Sequence, residues 1–273
     1  MNKRSFHHPK WAPDPAAPAV ELASISFSYD KKPFIQDFSE SFCAGSITSI
    51  VGPNGCGKST LVKLMDGLLH AQSGSALIEG IDTHIMTARQ RARRLAVLPQ
   101  ASRPPTMSVY DLVACGRYPY HGHQGNLDPE DREKIEEAIA LAGIERFRDH
   151  DLRHLSGGER QKAYIAMVLA QDTSIVVLDE PTTYLDIKAC HELMSLITRL
   201  NTEIGKTIIM VIHDLDLALR YSQRLLVMDK GSNVMHDTVE EVLASRALES
   251  VFKMRIREYC SEEGIAHVLF PHQ

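Results

Sequence analysis

The sequence predicts an α/β fold with a mostly parallel central sheet, an N-terminal antiparallel β region and an inserted helical subdomain. Three observations support this prediction. Short apolar segments rich in β-branched residues alternate with segments of helical periodicity, which is typical of a parallel sheet with helices on both faces. A glycine-rich loop, Gly52–Thr60, joins the first of these strands to a helix. No buried strand is predicted between about residues 100 and 155, where helical patterns dominate.

The chain begins with a segment that is predicted to lie outside the fold. Residues 1–18 contain four prolines and read as a flexible leader, so we expect a single domain over 19–273. Alternating and short apolar runs then predict two antiparallel strands, Val20–Tyr29 and Phe38–Phe42, separated by the turn residues Asp30–Pro33.

The remaining elements follow from apolar periodicity and from helix start and stop signals. The predicted buried strands are Ile47–Val51, Leu95–Leu98, Ile175–Leu178 and Thr207–Ile212. The helical subdomain is expected over about 101–160, with a helix that starts at Asp128-Pro129 and ends at Gly143. Arg224–Asp237 predicts a hairpin, and 251–273 a strand-like ending too short for a regulatory domain.

Composition excludes several classes of protein. With 273 residues, 44% of them hydrophobic, the chain can bury a core, and its formal net charge of -5 gives no reason to expect nucleic acid. The arginines between residues 89 and 94 are read as a solvated helix face. Five scattered cysteines indicate neither a disulfide framework nor a zinc site and favour a reducing cytoplasm. No signal peptide and no membrane span are predicted.

The sequence GPNGCGKST matches a phosphate-binding loop in its required context, after a strand and before a helix. Glycines let backbone N–H groups face phosphate oxygens, Lys58 adds a charge toward the β and γ phosphates, and Ser59 offers a hydroxyl to magnesium. The thiol of Cys56 is expected to carry no chemistry. The residues assigned to nucleotide binding here are Gly52, Pro53, Asn54, Gly55, Cys56, Gly57, Lys58, Ser59 and Thr60.

Two adjacent acids, Asp179 and Glu180, stand at the end of a predicted buried strand. Open parallel sheets place their ligand crevice at this edge, and buried acids are costly unless they have a partner. We expect Asp179 to hold magnesium through water and Glu180 to act as general base on the attacking water. The alternative is a solvated strand end without chemistry.

The segment LSGGERQ, Leu155–Gln161, predicts a helix start. Ser156 and Glu159 have capping-box spacing. Gly157 and Gly158 would also expose N–H groups at the positive end of the helix dipole, which suits them to hold a phosphate. A second phosphate-binding place in a chain with one phosphate loop suggests shared sites in a dimer.

With the phosphate loop, LSGGERQ and the acidic strand in this order, the chain resembles the ATPase subunit of ABC transporters, a P-loop NTPase fold. The resemblance covers roughly residues 20 to 250 and extends to smaller landmarks. Gln100 matches the Q-loop glutamine, Thr182–Asp186 the D-loop and His213 the switch histidine. Tyr29 matches the aromatic residue on which adenine stacks.

The resemblance implies ATP and Mg²⁺ as cofactors and a head-to-tail pair of identical chains. ATP on one phosphate loop would be completed by Ser156, Gly157 and Gly158 of the second copy. The implied catalytic set is Glu180, His213, Lys58 and Gln100; the implied magnesium set is Ser59, Gln100 and Asp179; Tyr29, Glu159 and Asp186 join the nucleotide-binding set. Two positions depart from the family pattern, Glu159 for glutamine and Lys162 for arginine, and we expect activity to survive both.

Finer resemblance points to the cargo. Val113–Gly122 and Val168–Ile187 are similar to the importer subclass that serves ferric siderophores, with haem and cobalamin importers as close alternatives. This implies two permease chains and a periplasmic or extracellular substrate-binding protein as partners, with the ATPase peripheral on the cytoplasmic face of the cell membrane.

Two other classes remain as alternatives. Soluble ABC ATPases of translation, chromosomes or repair carry two cassettes or a long coiled-coil insertion, and this chain has one phosphate loop, one LSGG and no sustained heptads. A regulatory nucleotide-binding module without hydrolysis would normally lack Glu180 or His213.

Overall fold

The computed structural model describes residues 18–30, 33–100, 104–121, 126–261 and 264–271. The strands are β1 (Pro18–Phe27), β2 (Ile35–Cys43), β3 (Ile47–Val51), β4 (Ser73–Ile78), β5 (Ile81–Asp82), β6 (Leu95–Leu98), β7 (Ile175–Asp179), β8 (Thr207–Val211), β9 (Arg224–Asp229), β10 (Ser232–Thr238), β11 (Met254–Ser261) and β12 (Gly264–Pro271). The α-helices are α1 (Lys58–Met65), α2 (Ala88–Ala92), α3 (Val109–Cys115), α4 (Pro129–Ala142), α5 (Gly157–Ala170), α6 (Ile187–Thr202), α7 (Leu215–Tyr221), α8 (Val239–Ser245) and α9 (Ala247–Phe252). Residues 1–17 of the predicted leader lie outside the described residues, and Pro18 already belongs to β1.

The central sheet has the strand order β10-β9-β3-β8-β7-β6. Every neighbouring pair from β9 to β6 is parallel, and only the β9–β10 hairpin is antiparallel. The mostly parallel sheet is therefore confirmed. Because parallel strands end at the same edge, the loops after β3, β6, β7 and β8 gather at one side of the molecule.

Alternate residues of each central strand contribute to two different cores. In β8, Ile208 and Met210 pack with residues of α3 to α7, whereas Ile209 and Val211 pack against α1 and the antiparallel strands. Helices thus occur on both faces, but α1 shares the second face with a β-sheet. The antiparallel strands can cover that face because their inward residues, such as Leu22 and Phe42, are apolar and fully buried.

The antiparallel sheet has the order β2-β1-β4-β5. Its first two strands agree with the sequence prediction, whereas β4 and β5 were not predicted. Their residues, SGSALI and ID, are short and not strongly apolar, and β4 is held as a strand by antiparallel pairing with β1. Long-range pairing of this kind overrides weak local propensity.

Helices fill the chain between β6 and β7, with no strand among the residues that the structure describes there. α4 begins with Asp128 as N-cap and Pro129 in its first turn, and it ends at Gly143 with φ of 68°, so both predicted signals are confirmed. α5 runs from Gly157 to Ala170, and all of its residues from Ala163 onward except Met167 are buried.

A buried ion pair joins α4 to the segment after α3. Arg117 Nε donates to Asp131 Oδ1 at 2.8 Å, and both side chains are almost fully buried. Arg117 Nη1 also donates to the carbonyl of Ala170, at the end of α5. Burial favours the neutral acid, but hydrogen bonds from Arg117 and Asp128 hold the pKa of Asp131 below its ordinary value. One charged pair thus ties three helical segments together.

Replacement of Asp131 by asparagine is expected to destabilise the fold by about 3 kcal/mol, because it leaves the Arg117 cation buried without its counter-ion. Urea unfolding at neutral pH measures the effect. Since the folded pKa of Asp131 lies below its ordinary value, the pair stabilises the protein above that ordinary value and loses its contribution as the pH falls through the lowered one. Glu133→Gln, at an exposed position of the same helix, is the matched control and should leave the urea concentration at the midpoint of unfolding unchanged. An unchanged midpoint for Asp131→Asn would refute a stabilising role of the pair.

The C-terminal part continues with α8, α9 and an antiparallel hairpin of β11 and β12, in agreement with the predicted strand-like ending. Among the described residues, no helix is both long and apolar enough to cross a bilayer.

Candidate functional site

Four loops meet at the carboxyl edge of the parallel strands. The phosphate loop follows β3, Gln100 lies two residues after β6, Glu180 directly follows β7, and His213 lies two residues after β8. In the sheet these strands are neighbours in the order β3-β8-β7-β6. Residues separated by up to about 160 positions in the sequence are thereby brought to one crevice.

The phosphate loop lies directly beneath the β9–β10 hairpin. A Cβ atom on Gly52 would come within 2.3 Å of the Met228 carbonyl oxygen, so only glycine fits there. At the hairpin turn, Gly231 has φ of 77° and its N–H donates to the Cys56 carbonyl at 2.9 Å. Gly57, with φ of 111°, closes the loop as the N-cap of α1. The hairpin therefore holds the loop in shape from one side.

Lys58 turns its side chain back into the loop. Its Nζ donates to the carbonyls of Gly52 at 2.8 Å and Pro53 at 3.0 Å, and the residue is only 6% exposed. Both carbonyls are neutral, and among the described residues no carboxylate is bound to this cation at the loop. The N–H groups of the first turn of α1 also lack intrahelical partners. Together they form a site suited to phosphate oxygens. Burial raises the pKa of the neighbouring Cys56 thiol, which keeps it protonated and a poor nucleophile.

Ser59 and Asp179 face each other across the crevice. The Ser59 hydroxyl donates to Asp179 Oδ1 at 3.2 Å, which joins the start of α1 to the end of β7. Asp179 is 8% exposed, and burial raises the pKa of its carboxyl despite this hydrogen bond. A buried carboxylate beside a hydroxyl is a donor set of hard oxygens, and it fits Mg²⁺.

Glu180 is the centre of a cluster of hydrogen-bond donors. Gln100 Nε2 donates to its Oε2 at 2.7 Å and the Thr183 hydroxyl to the same oxygen at 3.1 Å. His213 Nε2 lies 2.5 Å from Oε1, and a carboxylate that acts as a base can accept a hydrogen bond from this ring nitrogen only when Nε2 carries the proton. Of the roughly four acceptor positions of a carboxylate, the described residues use three. The remaining one, on Oε1, is where the proton of a water could be accepted.

The backbone of Glu180 is itself constrained. Its φ of 54° lies in the left-handed region, which non-glycine residues seldom adopt. The N–H of Glu180 donates to the Val211 carbonyl of the neighbouring strand at 3.1 Å, which holds this conformation. Such conformations cost on the order of 1–3 kcal/mol and occur at functional sites, where the surroundings maintain them.

Tyr29 extends from the antiparallel region toward the phosphate loop. Its hydroxyl is hydrogen-bonded to the Thr60 hydroxyl at 3.0 Å, and its ring contacts Phe27 and Phe34 edge-on. The residue is nevertheless 57% exposed. An anchored aromatic ring with an open face beside a phosphate site is suited to stack on a base.

The LSGGERQ segment forms the predicted capping box. The Ser156 hydroxyl accepts from the Glu159 N–H at 3.3 Å, and Glu159 Oε2 accepts from the Ser156 N–H at 3.0 Å. The hydrogen bond from the Ser156 hydroxyl holds the pKa of Glu159 below its ordinary value. Glutamate in place of the family's glutamine thus caps the helix as an anion at the positive end of the dipole. Arg146 adds an ion pair to it at 3.3 Å.

The nearest neighbours of Gly157 and Gly158 belong to the loop after β7 and to α6. A Cβ on Gly157 would lie 3.5 Å from Leu185, and one on Gly158 would lie 3.0 Å from Ala189. Asp186, the last residue of that loop, caps α6 by accepting from the Ala189 N–H at 2.8 Å. The predicted residues therefore form two groups, one around Lys58 and Glu180 and one around Ser156.

Comparison with known proteins identifies the family. A family model described as ABC transporter matches residues 35–183, more than half of the chain. The chain belongs to the ABC transporter family. This ABC protein is 38% identical over 237 residues to the iron(3+)-hydroxamate import ATP-binding protein FhuC of Bacillus subtilis (strain 168). The matched region covers 86% of this chain and 88% of the relative. It is 39% identical over 238 residues to the petrobactin import ATP-binding protein FpuC of Bacillus anthracis, at 87% and 88% coverage.

The fold agrees with solved structures of the same family. A dimeric structure of the ATP-binding cassette MJ0796, in a post-hydrolysis state with ADP and Pi, is 27% identical, has a TM-score of 0.70, and covers 81% of this chain and 98% of its own. Its cassette architecture is therefore shared by this ABC protein.

Sequence reasoning named most of the groups that the structure brings together, but it missed some contacts. Thr183 was not singled out, although its hydroxyl reaches the Glu180 carboxylate. Its position three residues after Glu180, across a proline, is a local turn signal that could have indicated it. The hydrogen bond between the Tyr29 and Thr60 hydroxyls joins residues 31 positions apart, and no local turn signal indicates it.

Proposed function

We propose that this protein is the ATP-hydrolysing subunit of an importer for ferric siderophores. The observation that carries the proposal is the 38–39% identity, over most of the chain, to relatives named for import of iron(3+)-hydroxamate and of petrobactin. The site geometry supports the catalytic half of the proposal, because Lys58, Glu180 and His213 converge at one edge of the sheet.

In this proposal the phosphate loop, Gly52–Thr60, binds the phosphates of ATP and Tyr29 stacks on the adenine. Lys58 leaves the loop carbonyls for the β and γ phosphates, an exchange of neutral acceptors for charged ones that favours the bound state. Ser59, Asp179 and Gln100 would hold Mg²⁺, Asp179 through water. When bound, the ion neutralises charge that develops on the transferred phosphoryl group.

Glu180 acts as the general base. It accepts a proton of the attacking water at the free acceptor position of Oε1, while His213 holds the same oxygen from the other side. Gln100 donates to the base. In this proposal it would also bind Mg²⁺, which suits it to report the state of the γ phosphate to the helical segment that follows it.

Two chains would share each site. Two observations support this. Ser156, Gly157 and Gly158 lie at the start of α5, and the residues nearest to the two glycines belong to the loop after β7 and to α6, not to the phosphate loop of the same chain. ATP on one copy would be completed by these residues of the second copy, with Glu159 and Asp186 of the same region around them. Such a contact exists only in the closed dimer, which gives ATP the differential affinity that a conformational switch needs.

The proposal also covers organisation and partners. Residues 19–273 would act as one ABC ATPase domain, with the helical part about 101–160 as its subdomain. Two permease chains and an external substrate-binding protein would complete the importer, and the ATPase would lie peripherally on the cytoplasmic face of the membrane, without nucleic acid. Haem or cobalamin remain the alternative cargoes, and a soluble ABC ATPase without transport the alternative class.

Deletion of the gene and growth on defined iron sources tests the proposal. Growth on ferric hydroxamate or petrobactin is expected to be lost and to return with the wild-type gene but not with Glu180→Gln, while growth on iron salts persists.

Capture of the membrane-bound protein tests the partners and should recover permease chains. Growth on every chelate together with failure on haem or cobalamin would reassign the cargo, and recovery of no permease would count against transport.

A further inference from the structure

Thr183 and Glu180 are the two ends of a tight turn. The N–H of Thr183 donates to the Glu180 carbonyl at 3.3 Å, and its hydroxyl donates to Glu180 Oε2 at 3.1 Å. The side chain of Thr183 is half-buried, and that of Glu180 is 15% exposed. The hydroxyl contact is therefore partly shielded from water, which strengthens a hydrogen bond to a carboxylate.

The turn is rigid on both sides of this contact. Pro181, at its second position, restricts its own φ to about −65°. The N–H of Glu180 is anchored to Val211 in the neighbouring strand. The β-branched side chain of Thr183 has few χ1 rotamers. The backbone thus holds the Thr183 hydroxyl where the Glu180 carboxylate can accept its hydrogen bond.

Gln100, the other donor to Oε2, is less suited to hold the carboxylate during turnover. It is exposed, and in the proposed function it also serves the magnesium position. Whenever its amide turns toward the metal, the Thr183 hydroxyl is the donor that remains on Oε2. The other carboxylate oxygen of Glu180, Oε1, is hydrogen-bonded to His213, which lies in the loop after β8.

We propose that Thr183 is a positioning residue for the general base: its hydroxyl holds Oε2 of Glu180 so that the free acceptor position of Oε1 faces the attacking water. This inference rests on the proposed role of Glu180. Thr183 does not touch the water or the nucleotide in this arrangement, and it acts only through the carboxylate. A loss of orientation at the base is expected to slow the chemical step without weakening ATP binding.

The test compares Thr183→Val with Thr183→Ser. Valine keeps the shape and removes the donor, so kcat for ATP hydrolysis should fall about tenfold, the size expected for loss of one hydrogen bond to a charged group. The KM for ATP should stay within about twofold, because ground-state binding is untouched. Serine keeps the hydroxyl and should restore most of the rate. Thr198→Val, which removes a half-buried hydroxyl bonded to a helix carbonyl in α6, is the matched control and should behave as wild type.

A second measurement separates positioning from contact with another copy of the chain. ATP-dependent dimerisation of Glu180→Gln and of Glu180→Gln with Thr183→Val should be equally tight. A weaker dimer in the double variant, failure of serine to restore the rate, or a raised KM would overturn the positioning role. A wild-type rate for Thr183→Val would also overturn it while leaving the base assignment intact, whereas a wild-type rate for Glu180→Gln would show that the proposed role of Glu180, on which this inference rests, has failed.

Discussion

Replacement of Glu180 by glutamine is expected to lower kcat for ATP about 10²–10⁴-fold, the contribution typical of a general base. The amide has nearly the same shape, so it can still occupy the place among Gln100, Thr183 and His213. What it loses is the negative charge and the basic oxygen that accepts the proton. Steady-state hydrolysis measures the rate, and equilibrium binding of ATP measures affinity, which should be unchanged.

The same variant should accumulate as an ATP-bound dimer, because hydrolysis is the step that removes the γ phosphate from the shared site. Gel filtration with ATP and magnesium would show the dimer. Glu203→Gln is the matched control: it makes the same chemical change at an exposed glutamate in the loop after α6, where the partner is Arg199. It should hydrolyse ATP normally. Hydrolysis at the wild-type rate by Glu180→Gln would show that the base is another group.

Replacement of Lys58 by alanine is expected to weaken ATP binding about a hundredfold. The ammonium is held in the phosphate loop by the carbonyls of Gly52 and Pro53, and no carboxylate binds it there among the residues that the structure describes. Its loss removes charge-assisted hydrogen bonds to the phosphates, each of which contributes about 1.5–3 kcal/mol. Titration calorimetry with ATP measures the change in Kd.

Lys63→Ala is the matched control, since this lysine lies on the exposed side of the same helix, α1. It should bind ATP with wild-type affinity. Thermal unfolding without nucleotide distinguishes lost binding from lost folding, because Lys58→Ala should retain its secondary structure. Unchanged affinity for Lys58→Ala would mean that backbone N–H groups alone hold the phosphates.

Much of the fold was predictable because its signals are local. Ile47–Val51 and Leu95–Leu98 have the bounds that apolar runs indicate. The caps at Asp128 and Ser156 were predictable because a capping box needs only residues three positions apart. β4 and β5 were missed, since β4 is a strand through its pairing with the distant β1, and β5 through its pairing with β4.

The candidate site shows the same division. Glycine spacing, Lys58 and the adjacent acids indicated phosphate and metal chemistry, and family resemblance added Gln100, His213 and Tyr29. The resemblance could not indicate how Glu180 is held, because its donors come from three separate segments. It also could not indicate the buried pair of Arg117 and Asp131, whose partners look like ordinary surface charges in the sequence.

By itself, the sequence determined the order of the buried parallel strands, the phosphate loop and the capped start at Ser156, because each depends on neighbours a few residues away. Only the tertiary structure decided which groups share the Glu180 carboxylate and which face of the sheet α1 shares with antiparallel strands. These depend on strand order and on parallel register, which bring the ends of β3, β6, β7 and β8 to one edge. Contacts between distant residues form only when the whole sheet is assembled, and no local pattern encodes them.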